Sequence, residues 1–464
     1  MAALAEIVRG RLEGLGPVTA QALAGSCGLP DDTIDQALLR LESEGFVLRG
    51  RFTPGIGAVE WCARSLLARI HRYTLNRLRA EIEPVSAADF MRFLFSWQRV
   101  LPDDRAEGAQ SLQMIVEMLE GFEAPAAAWE QDILPARLSR YDPAWLDALC
   151  LSGRVVWARL SPPRPAPDSP PGAGPVRSTP IALLSRGRLS AWRALTLRPD
   201  GGREPSTEAG AVLDLLAARG ALFFDEIAER SGLLATRVEN ALAELVARGN
   251  VTSDGFTGLR ALITPSGRRG SRRRRPPSPF GMESAGRWTV LWNDRTVAES
   301  EDSPAETIAP VLLRRYGIVF RRLLEREGAM PPWRDLLRVL RRMEGRGEVR
   351  GGRFVAGVSG EQFARPEAVE RLRAVRRAGP SGSLLPIGSA DPLNLVGLLL
   401  PGPRIAPTGA GRILYRDGVP IAVREAGEVR PLVELDEASA WRARDVLVKR
   451  GAPPLLRPSL GHTA

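Results

Sequence analysis

Hydrophobic residues between Gly16 and Phe52 follow two periods in succession. Leu38 and Leu41 share one helical face, Gly45 follows as a left-handed C-cap, and the alternation from Val47 to Phe52 fits a short strand. Upstream, Ala24, Gly28 and Leu29 mark the end of an earlier helix and a tight turn. The pattern returns without a gap from Gly220 to Phe256, with Ala228, Gly232 and Leu233, then Leu242, Leu245, Gly249, Val251 and Phe256. Helix, tight turn, second helix and ribbon, in that order, make the winged-helix form of helix-turn-helix.

The ending of this unit occurs twice more. Leu146, Leu149, Gly153 and Val155 repeat its spacing, entered by Asp142-Pro143, an N-cap followed by proline at the first helical position. Leu340, Met343, Gly347, Val349 and Phe354 repeat it again. Internal repetition of this kind describes an array of small helical modules. The expected fold class is mainly α with small β-structure: tandem winged-helix domains plus a small C-terminal β-barrel.

The chain divides accordingly. Residues 1–58 are a winged helix, and 59–160 a helical region ending in a winged-helix-like unit. Residues 161–179 are a Pro-rich linker, 180–265 a winged helix, and 266–285 an Arg-rich linker. In 286–379, a hairpin around Asn293-Asp294 precedes a basic winged helix. Residues 380–433 hold short strands with Pro and Gly turns, including a hairpin on Asp417-Gly418, which suggests the barrel. Residues 434–464 are a helix and tail.

Composition removes several classes of function. No apolar run approaches the ~18 residues of a membrane span. The N-terminus lacks the order of a signal peptide, so a cytoplasmic location is expected. Cys27, Cys62 and Cys150 form no CxxC pattern and read as buried free thiols. His71 and His462 are too few for zinc ligation or most histidine catalysis, and Lys449, the sole lysine, excludes a P-loop. Neither a cofactor nor a metal is expected.

Charge is informative by placement. The chain carries a net +10, and residues 310–380 hold 17 arginines against 8 acidic residues. Nearly all the excess therefore lies in one segment, as a phosphate-facing surface requires. There Leu336, Leu337, Leu340 and Met343 form an apolar face, while Arg334, Arg338, Arg341, Arg342 and Arg346 form a stripe opposite it. Arg350 and Arg353 add a basic ribbon. An arginine stripe on a second helix followed by a basic wing suits groove entry, with a solvated helix as the alternative. Arg272, Arg273, Arg274 and Arg275 offer a second set of phosphate contacts, or an ordinary basic linker. The second helix of the first copy is acidic instead, with Asp31, Asp32, Asp35, Glu42 and Glu44, and suits a structural or protein contact.

The segments EWCARSLLARIHRY, EIEPVSAADFMRFLFSWQRV, YDPAWLDALCLSGRVVW, PPWRDLLRVLRRMEGRGEVRGGRF and ADPLNL with LYRDGVP resemble the C-terminal, non-helicase region of the large helicase-related (Lhr) proteins. The resemblance implies tandem winged helices and a small barrel, joined in the full-length family to a DNA translocase motor that this chain lacks. The region is also distantly similar to the YcaQ/AlkZ-type DNA glycosylases, which implies excision of uracil or a damaged base. Those enzymes carry a Gln-x-Gln or Gln-x-Asp motif. Here Gln98 keeps the first position and Val100 occupies the second.

A glycosylase needs a carboxylate to stabilise an oxocarbenium-like sugar or activate water. Asp391 is the candidate, and Asp391-Pro392 also reads as a helix N-cap. Trp97 or Trp333 would serve as a wedge for base flipping, or as core. Three readings remain: a DNA-binding module of a repair helicase, a DNA glycosylase, and a protein-assembly scaffold. The partners expected are DNA, single-stranded or duplex, a helicase motor in the same or a neighbouring polypeptide, and further copies of the chain; no membrane is among them.

Overall fold

A computed structural model describes residues 2–80, 82–161, 176–196, 204–263, 281–291 and 303–448. It divides into two compact units, Met1–Glu83 and Pro84–Ala464. The first is a single winged helix. Helix α1 (Ala2–Gly14) leads to β1 (Val18–Thr19), α2 (Ala20–Cys27), α3 (Asp31–Ser43), β2 (Val47–Gly50), β3 (Glu60–Ala63) and α4 (Arg64–Ala80). The strands lie in the order β1-β3-β2, all antiparallel. Thr19 caps α2, accepting from the Ala22 amide at 3.2 Å, and Val8, Leu12, Leu23, Ile34, Leu38 and Leu41 fill the core.

The second unit repeats this arrangement three times. After α5 (Ala87–Trp97), the first repeat comprises α6 (Ala109–Leu119), β4 (Ala124–Pro125) and α7 (Ala126–Ala128). A π-helical turn over Trp129–Ile133, α8 (Leu134–Arg137), α9 (Pro143–Leu151), β5 (Val155–Ala158) and β6 (Pro180–Ser185) complete it. Asp142 caps α9 through the Ala144 amide at 2.9 Å, with Pro143 at the first helical position, as expected. Strand β6 was expected to open the next module. It instead pairs with both β4 and β5, because this winged helix needs a third strand to cover its core.

Helix α10 (Leu189–Leu195) leads to the next repeat: α11 (Thr207–Arg219), β7 (Leu222–Phe223), α12 (Phe224–Ser231), α13 (Ala235–Arg248), β8 (Val251–Ser253), α14 (Phe256–Ile263) and β9 (Arg287–Val290). The sequence places β9 in a hairpin that opens the following module. In the structure β9 closes this sheet between β7 and β8, and Asn293-Asp294 lies outside the described residues. The last repeat comprises α15 (Pro304–Tyr316), β10 (Ile318–Phe320), α16 (Trp333–Gly345), β11 (Arg350–Gly352) and β12 (Gln362–Ala364), in strand order β10-β12-β11, followed by α17 (Pro366–Ala378).

These repeats share their cores. One hydrophobic cluster runs through the first two repeats of this unit, from Leu112 and Trp129 to Val238 and Trp288. At its centre Trp157 and Trp288 meet edge to face at 6.1 Å, and the Thr252 hydroxyl donates to the Trp157 carbonyl at 2.8 Å. The last repeat is held by α5, which packs on α17. The Trp97 indole donates to the Arg314 carbonyl at 2.9 Å, and the Val85 amide to the Phe354 carbonyl at 2.8 Å.

The expected C-terminal barrel is absent among the described residues. Strands β13 (Leu384–Gly388), β14 (Arg412–Arg416), β15 (Val419–Glu425) and β16 (Glu428–Pro431) form an open antiparallel meander in sequence order. Helix α18 (Glu437–Val448) covers one face through Leu414, Ala422, Ala443 and Leu447. On the other face Tyr415 packs against Phe95 at 5.2 Å. With both faces covered from outside the sheet, four strands have no need to close on themselves.

The repeat supplies its own stability test. Gly45 and Gly249 hold equivalent left-handed positions after the second helix, with φ of 72° and 73°. A Cβ at Gly45 meets nothing closer than an Arg64 side-chain nitrogen at 3.9 Å, whereas at Gly249 it lies 3.0 Å from the Arg159 carbonyl oxygen. Gly45→Ala is expected to cost about 1 kcal/mol from backbone strain alone, a roughly fivefold loss of amide protection in α3. Gly249→Ala should cost clearly more in α13, measured by hydrogen exchange on both variants.

Candidate nucleic-acid interface

Helix α16 begins after Pro332 and buries Leu336, Val339, Leu340 and Glu344. Leu337 and Met343, expected in the core, are half-buried, because the helix sits on its floor along a line shifted toward Val339. Away from the core, the side chains of Arg334, Arg338 and Arg346 are 79%, 75% and 68% exposed, with Arg341 and Arg342 somewhat less so. The sequence-predicted stripe therefore exists as one outward surface. Arg350 on β11 and Arg353 beyond it extend the surface; both are exposed and have no ion-pair partner among the described residues.

Each helical arginine has a carboxylate within reach. Arg338 donates to Asp335 at 3.0 Å and Arg341 to Glu361 at 2.6 Å, while Arg342 pairs with Glu306. Arg334 and Arg346 approach Asp335 and Glu348 at 3.7 and 3.6 Å. Exposed pairs of this kind contribute about 0–1 kcal/mol, so a phosphate can displace the carboxylate while the guanidinium stays positioned. The other second helices lack such a stripe. In α3, Asp31, Asp32 and Asp35 are all exposed. In α13, Arg237 is tied to Glu208 at 2.6 Å and Arg248 to Glu244 at 2.9 Å. Arg272, Arg273, Arg274 and Arg275 lie outside the described residues.

Gln98 and Asp391, far apart in the chain, are brought together by a third residue. Arg137, at the end of α8, is fully buried and donates to both Asp391 oxygens at 2.7 and 2.9 Å, to the Gln98 Oε1 at 2.7 Å and to the Ile133 carbonyl at 2.9 Å. The Gln98 amide nitrogen in turn donates to the Arg315 carbonyl at 2.9 Å. Asp391 and Gln98 are 1% and 0% exposed, so neither faces solvent. No helix follows Asp391. Its Oδ1 accepts from the Leu393 amide at 3.0 Å in a turn, and Asn394 fastens the loop to the Ser389 and Ile405 carbonyls. The N-cap reading is thereby corrected: the side-chain bonds that anchor this loop compete with helical ones.

Val100 also has a local explanation. At the end of α5 the Arg99 amide donates to the Ser96 carbonyl and the Val100 amide to the Phe95 carbonyl, with Arg99 at φ 59°. This is a Schellman cap, whose last position takes a buried apolar side chain, and Val100 is 1% exposed. Trp97 packs on Phe93 at 5.5 Å, and Trp333 is half-buried at the start of α16. Beside the Arg137 node, Tyr316 donates to Glu327 at 2.7 Å; burial, then the adjacent carboxylate, push its hydroxyl well above the ordinary range and keep it a donor. Arg137 was missed in the sequence. Its signal is an arginine inside the apolar run Ile133-Leu134-Pro135-Ala136-Arg137-Leu138.

Residues 85–181 and 298–384 match two profiles, both described as "Large helicase-related protein, winged-helix domain". They coincide with the first and last repeats of the second unit. In these two domains the chain matches the C-terminal region of the Lhr-type proteins. It is 30% identical over 411 residues to the "Lhr helicase/ probable uracil glycosylase" of Mycolicibacterium smegmatis, covering 84% of this chain. To the "Lhr helicase/uracil glycosylase" of Escherichia coli it is 28% identical over 427 residues, covering 83%. The chain spans 26% of the length of each of those relatives. Among its described residues no group of side chains suits a metal ion, the three cysteines are free, and no helix is long and apolar enough to cross a membrane.

The buried node yields a stability prediction. Arg137→Met leaves the Asp391 carboxylate buried without its cation, and is expected to destabilise the second unit by about 3–5 kcal/mol. Arg137→Met with Asp391→Leu removes both charges and should recover most of that deficit. Urea denaturation of the single and double variants checks both outcomes.

Proposed function

We propose that this chain is a DNA-binding module of an Lhr-type protein, acting beside a helicase motor carried in the same or a neighbouring polypeptide. The observation that carries the reading is the exposed arginine surface of α16 and β11, on the second helix and wing of a winged helix. Such a helix enters the major groove or lies along the backbone, and the wing reaches adjacent phosphates. Each phosphate neutralised releases counterions, so affinity falls steeply with salt.

Binding of the purified chain to a duplex oligonucleotide, measured across a salt series, tests this reading. Replacing Arg334, Arg338, Arg341 and Arg342 by alanine is expected to flatten the slope of log K against log salt by about 0.9 for each phosphate that is no longer neutralised. An unchanged slope removes α16 from the interface.

A second reading, excision of uracil or a damaged base, is supported by the descriptions of the two relatives. Asp391, with Gln98 beside it, is the carboxylate to test first, and Arg137 must release it before a sugar can approach. Incubation with an oligonucleotide holding one uracil, without ATP and followed by hot alkali, is expected to give cleavage at the uracil. Loss of cleavage in Asp391→Asn with the fold retained assigns the carboxylate; cleavage that survives moves the chemistry to another acid.

A further inference from the structure

A cavity of about 270 Å³ opens in the first repeat of the second unit, between α6, the turn after α9 and the end of β6. Its floor is Glu120, whose side chain is fully buried. That carboxylate is already satisfied: it accepts from the Ser185 amide at 3.2 Å, the Trp192 indole at 3.0 Å and the Arg188 guanidinium. The groups left to meet a ligand are Gln113, Glu117, Arg154 and Arg186.

These four are held in place by their neighbours. Arg154 donates to the Gln113 Oε1 at 2.8 Å, and the Gln113 Nε2 donates to Glu117 at 3.0 Å. The amide is thus oriented by a donor on one side and an acceptor on the other, and keeps one acceptor and one donor position for a further partner. Arg186, which also lines the cavity, is fixed by its Nε, which donates to the Gly153 carbonyl at 3.0 Å and leaves its terminal nitrogens without a partner among the described residues. Arg154 and Arg186 are exposed at the rim, while Gln113 and Glu117 are half-buried. The cavity therefore has two cations at its mouth and, deeper in, an amide beside a carboxylate.

We propose that this cavity takes one nucleotide of a single strand, with its phosphate on Arg154 and Arg186 and its base edge on Gln113 and Glu117. This extends the DNA-binding reading and rests on it for the polymer. The volume lies just under the ~300 Å³ at which drug-sized pockets begin, which suits a single nucleotide and not a dinucleotide cofactor. A base held in a Watson–Crick pair cannot enter such a concavity, so the site selects an unpaired or extruded base. Arginine pairs at a rim recognise phosphate bidentately, and a fixed amide reads a base edge with one donor and one acceptor.

The test uses the full chain, thymidine 5′-monophosphate and a twelve-residue oligo(dT). Saturation-transfer NMR is expected to show the mononucleotide bound to wild type, with the signal abolished in Arg154→Ala/Arg186→Ala. In anisotropy measurements the same variant should bind oligo(dT) at least tenfold more weakly while its duplex affinity changes less than threefold. Gln113→Leu, which leaves the rim intact, should shift the preference between oligo(dT) and oligo(dA). Equal mononucleotide signal in wild type and double variant, or an equal weakening for duplex and single strand, overturns the proposal. Mononucleotide binding that depends on the two arginines, in a chain that binds neither polymer, upholds the cavity and overturns the DNA-binding reading instead.

Discussion

The second unit is organised around one buried charge. Arg137 directs the N–H donors of its two terminal nitrogens to Asp391, Gln98 and Ile133, and these partners come from a turn after β13, the end of α5 and the π-helical turn before α8. A guanidinium moved out of water is costly unless most of its hydrogen bonds are replaced and its charge is paired. The ion therefore requires these segments to arrive together. Gln98 passes the constraint on to α15 through the Arg315 carbonyl. In this way a repeat, a helical connector and a four-stranded sheet are placed by a single side chain, with apolar burial supplying the bulk of the driving force.

The four modules, which share one strand order, have diverged in their second helices. Helix α3 is acidic outward, α13 carries only Arg237 and Arg248, at its two ends, and α16 turns a row of arginines toward solvent. The shared feature is the floor of apolar side chains and the left-handed glycine that follows the helix. Packing preserves these because both are felt within the module, while the outward face is free to vary. The carboxylates beside those guanidinium groups, Asp335 on α16 and Glu306, Glu348 and Glu361 outside it, hold them only weakly, since exposed pairs contribute little.

The cavity above Glu120 arises from the same economy of form. Strand β6 crosses from beyond the Pro-rich segment to complete the sheet, and its far end leaves Arg186 bound to Gly153, next to Arg154. A wing strand supplied from a distance thus brings a second cation to the rim of a pocket built on α6.

The sequence alone determined what depends on near neighbours. Helical periods, the Asp142-Pro143 cap, the glycine C-caps and the arginine stripe of α16 were legible because each arises within a few helical turns. The excess charge of residues 310–380 and the lack of a P-loop lysine were legible as composition. Tertiary structure decided the rest, because it turns on which distant segments meet. It gave β6 and β9 to the repeats before them, left the last sheet open beneath α18, and joined Gln98 to Asp391 through an arginine whose partners lie far along the chain. An ion pair between residues 254 positions apart carries no local period, and only the folded chain brings its two halves within hydrogen-bond distance.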